Sequence, residues 1–126
     1  MQLLGLHWAN AERALIDELA ASLARLQQND GGWAQRDGFP SDAYATGETL
    51  YALHIAAGTP TSALAYQRGV SFLVNSQHED WAWYVRSRSV KFQPYFESGF
   101  PYGNDQWIST AGTSWAAVAL TLAVRE

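Results

Sequence analysis

The sequence predicts an all-α fold made of two copies of one helical hairpin. Apolar residues recur at spacings of three and four in four separate stretches. Glycine and proline punctuate the gaps between them. A glutamine and a tryptophan stand six residues apart twice, as Gln27 with Trp33 and as Gln77 with Trp83.

The first helix is expected at about residues 9–28, with Leu15, Leu19, Leu23 and Leu26 as its apolar stripe and Asn10 as its N-cap. The glycines of "NDGG" stop it. The second helix is expected at 42–57, capped by Ser41 or Asp42. Its buried stripe is Ala43, Thr46, Gly47, Leu50, Leu53 and Ala57. Gly47 costs about 1 kcal/mol of helix propensity against alanine, which a close neighbouring helix would explain. The third helix is expected at 60–77, with Thr59 as cap, Pro60 in the first turn, and Leu64, Val70, Phe72 and Leu73 as core. The fourth is expected at 107–124, with Ile108, Ala111, Trp115, Val118 and Leu122 on its buried face. Residues 83–104 read as an inserted loop or a short β-hairpin, because "WAWYVRS" and "SVKFQPYF" have the aromatic and β-branched content of strands.

The 126 residues amount to one domain, and almost half are apolar, so a core can form. The net charge of −4 and a single basic cluster, Arg86, Arg88 and Lys91, argue against a nucleic-acid partner. That cluster reads as a solvated loop. The lack of cysteine excludes disulfides and thiolate metal sites. His7, His54 and His78 lie apart, without ligand spacing, so neither metal nor cofactor is expected. No apolar run approaches the roughly 20 residues of a membrane span, and the N-terminus lacks the basic start of a signal peptide. A cytoplasmic location is the default expectation.

The two halves align beyond the glutamine and tryptophan. Asp30 falls on Asp80 and Arg36 on Arg86. After about 15 extra residues in the second half, Thr46-Gly47 falls on Ala111-Gly112. The stretch "RGVSFLVNSQHEDWAW" resembles the QW motif of squalene–hopene cyclases and related terpenoid cyclases, through Arg68, Gly69, Phe72, Leu73, Gln77 and Trp83, with Trp81 in place of the usual glycine. "QQNDGGWAQ" is similar to the second half of that motif through Gln27, Gly31 and Trp33. The resemblance covers nearly the whole chain and implies the α/α-toroid fold that protein prenyltransferases share. It implies part of a larger toroid, or a fragment that assembles with copies of itself. It does not imply cyclase chemistry, because the proton-donating D-x-D-D motif is missing. Zinc chemistry of the prenyltransferase kind is excluded by the lack of cysteine.

Two functional expectations follow. One is a non-catalytic repeat module that binds a partner, a carbohydrate or an apolar small molecule through its aromatic 92–107 loop, with Tyr95, Phe96, Phe100, Tyr102 and Trp107 as walls. The other is a small glycoside hydrolase with Glu97 and Asp105 as a carboxyl pair, and with Asp42 and Glu48 facing the same space.

Overall fold

The computed structural model describes residues 2–90 and 94–125. The described residues form five helices: α1 (Gln2–Trp8), α2 (Arg13–Arg25), α3 (Ala43–Ala57), α4 (Leu64–Ser76) and α5 (Gln106–Arg125), the last preceded by a 3₁₀ turn at Gly103–Asp105. The all-α expectation holds.

α3 is the central element. It is buried on nearly every side, through Ala43, Ala45, Thr46, Gly47, Thr49, Leu50, Ala52, Leu53 and Ala56. Asp42 caps it, its carboxylate accepting the Ala45 N–H at 2.9 Å. α5 lies against it in the same direction, since Tyr44 meets Gly112, Gly47 meets Trp115 and Ala116, and the Tyr51 and Trp115 rings are 5.5 Å apart. A methyl group on Gly47 would sit 2.5 Å from the backbone carbon of Trp115. The close neighbour inferred from Gly47 is therefore α5.

That closeness rotates the faces. Where two helices nearly touch, small side chains must line the contact, because side-chain size sets the interaxial distance. α5 accordingly buries Ser109, Gly112, Ala116 and Ala119. The expected face of larger residues is displaced: Ile108, Ala111 and Trp115 are half-buried and Val118 is exposed. In α2 the buried residues are Ile16 and Ala20, with Leu19 and Leu23 half-buried, while Leu15 and Leu26 are exposed. In α4, Tyr66, Gly69 and Leu73 are buried, and Leu64 is exposed.

Two helix starts also differ from expectation. Asn10 does not cap α2. It adopts a left-handed backbone (φ 52°) and closes α1, where its N–H reaches His7 O at 3.1 Å and the Ala11 N–H reaches Leu6 O at 3.0 Å. This is the six-to-one, five-to-two closure that favours glycine or asparagine at a helix end. Thr59 is likewise drawn into the end of α3, its N–H donating to Leu53 O at 3.0 Å beside the left-handed Gly58. Residues 60–63 then form a turn, and α4 starts only at Leu64. α1 and the end of α3 resemble each other in sequence: "LGLHWAN" stands against "YALHIAAG". Leu3 and Leu4 are buried and pack in the same core as α3.

No strand forms at residues 83–90 or 94–102. Lys91 of the basic cluster and residues 91–93 of the second expected arm lie outside the described residues. The first arm has no strand partner because α5 hydroxyls take its backbone groups. Trp83 N–H donates to Thr113 Oγ1 at 3.0 Å, and Val85 N–H donates to Ser109 Oγ at 2.9 Å, while the same hydroxyl donates to Val85 O at 3.1 Å.

By length and composition the stretch Gly103–Val124 is apolar enough to cross a bilayer, contrary to the expectation that no run approaches a span. Ser109, Thr110, Thr113, Ser114 and Thr121 interrupt it, and it packs along α3.

Gly47→Ala is expected to destabilise the fold by about 3 kcal/mol, because the neighbour it would strike is backbone. Gly5 in α1 has nothing within 4 Å of an added Cβ. Gly5→Ala should therefore gain about 0.5–1 kcal/mol of helix propensity. Urea denaturation of both variants distinguishes the two signs.

Candidate functional site

The two Gln/Trp turns share one hydrogen-bond scheme. In the first, the Trp33 indole N–H donates to Leu23 O at 2.8 Å, the Gln28 N–H to Gly32 O at 2.9 Å, and the Gln27 amide to Gly31 O at 2.8 Å. In the second, the Trp83 indole N–H donates to Leu73 O at 2.8 Å, the His78 N–H to Ala82 O at 3.0 Å, and the Gln77 amide to Trp81 O at 3.0 Å. Each indole thus satisfies a carbonyl near the end of the preceding helix, where helices leave them unpaired. Asp30 and Asp80 each accept the N–H two residues on, at 2.9 and 3.1 Å. Trp33 N–H donates to Thr46 Oγ1 as Trp83 N–H does to Thr113. These bonds pair Thr46 with Thr113, two residues beyond the alignment of Thr46 with Ala111.

Gly31 has a φ of 91°, and Trp81, at the matching place, has a φ of 65°. The second turn therefore holds a non-glycine residue in left-handed backbone, with its indole 78% exposed. Arg68 of α4 reaches back to the first turn and donates to Gln28 O and Asn29 O, both at 3.1 Å. Arg68 thus ties α4 to the first turn.

The expected carboxyl pair is engaged locally. Glu97 is exposed and accepts from the Tyr95 hydroxyl and from the Gly99 N–H at 2.8 Å. The Tyr95 bond, then the Gly99 bond, hold its carboxyl below the usual range. Asp105 accepts from the Tyr84 hydroxyl at 2.8 Å and from the Ser87 N–H at 2.9 Å. Asp42 accepts from Ala45 and, at 2.7 Å, from Gln35 Nε2.

Tyr102, also in left-handed backbone (φ 84°), places its hydroxyl 2.9 Å from both Asp80 carboxylate oxygens. Its ring meets His78, Tyr84 and Phe100. Burial in this cluster, and then the Asp80 bond and charge, push its pKa up to about 12.

Two open grooves meet at Gln35 and at Tyr44 in the first turn of α3. The larger, about 770 Å³, is lined by Tyr44, Tyr95, Phe96, Trp107, Ile108 and Ala111, with Gln35, Ser87, Arg88, Ser89, Asn104 and Gln106 among its polar groups. Of the five aromatic residues expected as walls, Tyr95, Phe96 and Trp107 line it, whereas Phe100 and Tyr102 belong to the cluster at the second turn. Neither Glu97 nor Asp105 lines it. The smaller groove, about 460 Å³, lies among α1, α2 and α3 and shares Gln35 and Tyr44 with the larger one. Glu48 lines this second groove. Burial, followed by the charges of Glu48 and Asp42, raises the Tyr44 phenol.

Phe96 and Trp107 stack with centroids 6.4 Å apart and an interplanar angle of 20°. Both remain open, at 71% and 57% exposure. Gln106 holds this wall in place. Buried at the start of α5, it donates to Phe96 O at 2.9 Å and accepts the Ser98 N–H at 2.6 Å and the Ser98 hydroxyl. Gln35, Tyr44, Arg88 and Gln106 were not among the expected site residues. Arg88 was visible only as one member of a basic cluster.

No protein-family model matches the chain, and no curated protein matches it.

Trp81→Gly is expected to keep the fold and raise stability by up to about 1 kcal/mol, since a left-handed L-residue costs roughly 1–2 kcal/mol and glycine returns part of that as chain entropy. Thermal unfolding would show a drop instead if the indole were a packing element. For Tyr102, a pKa raised above its unfolded value of 10.0 means stability that is complete below pH 10 and lost as the pH rises towards 12. An ultraviolet titration of tyrosine should lose its highest-pH step in Tyr102→Phe.

Proposed function

We propose that this chain is a non-catalytic α/α-hairpin repeat module that binds an apolar, flat-faced ligand in the larger groove. The stacked, exposed Phe96–Trp107 pair carries this reading. Two large aromatic faces held open to solvent, with a buried glutamine fixing their loop, suit a ligand more than a core. Tyr44, Ile108 and Ala111 continue the apolar surface at the base of the groove.

The resemblance of the two Gln/Trp turns to those of terpenoid cyclases supports a toroid-type repeat. So does the shared hydrogen-bond scheme. Gln27 directs a further bond, 2.8 Å long, to Ala65 O of the next outer helix. Gln77 stands at the matching place in the second turn, and Val118 and Val124 of α5 are exposed apolar residues. A further hairpin, from a longer chain or from a second copy, would stack there.

The hydrolase alternative draws no support from Glu97. A glycosidase acid must keep its proton near neutrality, which needs a raised pKa. The Tyr95 and Gly99 bonds move Glu97 the other way.

The test is equilibrium binding of N-phenyl-1-naphthylamine, a neutral probe whose emission rises in apolar sites. Saturable binding is expected, and Trp107→Ala should weaken it about tenfold, the equivalent of one lost aromatic contact. Trp8→Ala, on α1, should change nothing. Equal affinity in the wild type and in Trp107→Ala would remove the groove from consideration.

A further inference from the structure

Arg88 sets the kind of ligand the groove accepts. Its guanidinium carbon lies 4.3 Å from the centroid of the Phe39 ring, which Arg36 also approaches at 5.9 Å. A guanidinium laid on an aromatic face is held through that face, and its N–H groups remain directed outward along its edge. Among the described residues Arg88 makes no hydrogen bond and no ion pair, and it lines the larger groove. The hydroxyls of Ser87 and Ser89 stand in the same wall, 3.1 Å apart, and the side chains of Gln35 and Asn104 line the groove with them.

Acidic groups are placed elsewhere. Among the described residues no aspartate or glutamate lines the larger groove, although the chain has 12 of them against 8 Lys and Arg. Of the nearest carboxylates, Asp105 is turned to Tyr84 and to the Ser87 N–H, Asp42 is held by Ala45 and Gln35, and Glu48 faces the second groove. A cation laid on an aromatic face and flanked by hydroxyls, in a groove whose described lining holds no carboxylate, matches an oxyanion attached to an apolar body.

Resting on the ligand-groove reading above, we infer that the natural ligand is an anionic amphiphile. Its carboxylate, sulfonate-like or phosphate group meets Arg88 and the Ser87 and Ser89 hydroxyls. Its apolar body lies on Phe96, Trp107 and Tyr44.

Two probes that share one ring system test this. 8-Anilinonaphthalene-1-sulfonate carries the anion, and N-phenyl-1-naphthylamine lacks it. The anionic probe should bind the wild type about tenfold more tightly, the value of one partly solvated charge-assisted contact. That margin should shrink as salt is added. Arg88→Met keeps an unbranched chain over Phe39 and should abolish the margin while leaving the neutral probe unaffected. Arg88→Lys should restore part of it, and Arg36→Gln should leave it intact. Near-ultraviolet circular dichroism of each variant confirms native packing. Ser87→Ala with Ser89→Ala is a second route that spares the Phe39 contact and should also reduce the margin. Equal affinities for the two probes would overturn the anion assignment and leave the groove standing. So would a margin that Arg88→Met does not change. Failure of both probes to bind would remove the groove and the anion site together.

Discussion

The near-contact of α3 with α5 is the constraint on which the rest depends. Gly47 allows the backbone of Trp115 and Ala116 to approach where any side chain would collide. Gly112, close to Tyr44, leaves room for the Val85 side chain, whose Cγ2 would lie 2.6 Å from an added Cβ. With α5 fixed there, Ser109 and Thr113 lie within reach of the chain at Trp83 and Val85, and their hydroxyls hold it. That segment leads straight to Ser87 and Arg88. At the start of α5, Gln106 fixes the turn that carries Phe96. The groove walls are thus assembled by polar side chains on one helix, and that helix is positioned by glycine.

Much of the fold was legible in the sequence because helices announce themselves by period and by punctuation. α3 fell where expected, with Asp42 as its cap, and Gly47 correctly implied a close partner. The equivalence of Gln27 and Trp33 with Gln77 and Trp83 is repeated in the bonds that close each turn, with the Gln27 bond to Ala65 O as an addition in the first. The faces of α2 and α5 were not legible. Large apolar residues were assigned to the contact, but a contact this tight selects for smallness, so Ala116 and Ala119 are inside and Val118 is not. α1 was missed because seven residues form no convincing period. Asn10 reads equally well as a cap for the next helix or as a closure of the last.

The candidate site was only partly legible. Aromatic content in the insertion pointed to Tyr95, Phe96 and Trp107. It could not separate them from Phe100 and Tyr102, whose rings pack around His78 and Tyr84 instead. The first expected strand failed for a reason that pattern cannot show, since the acceptors of its backbone N–H groups are hydroxyls 24 and 30 residues away. Arg88 was hidden by its neighbours: three cations in six residues look like a solvated loop until one of them is found lying on Phe39.

The shared direction of α3 and α5 has an electrical side. Antiparallel helices largely cancel their dipoles, whereas parallel ones add them, so the N-terminal ends of both helices present partial positive charge on the same side of the molecule. Asp42 stands before the first residue of α3, and Asp105 stands before the first residue of α5. Each is a counter-charge at the positive end of its helix. Two carboxylates that in sequence suggest acid–base chemistry serve here to balance a field that the packing of the helices creates.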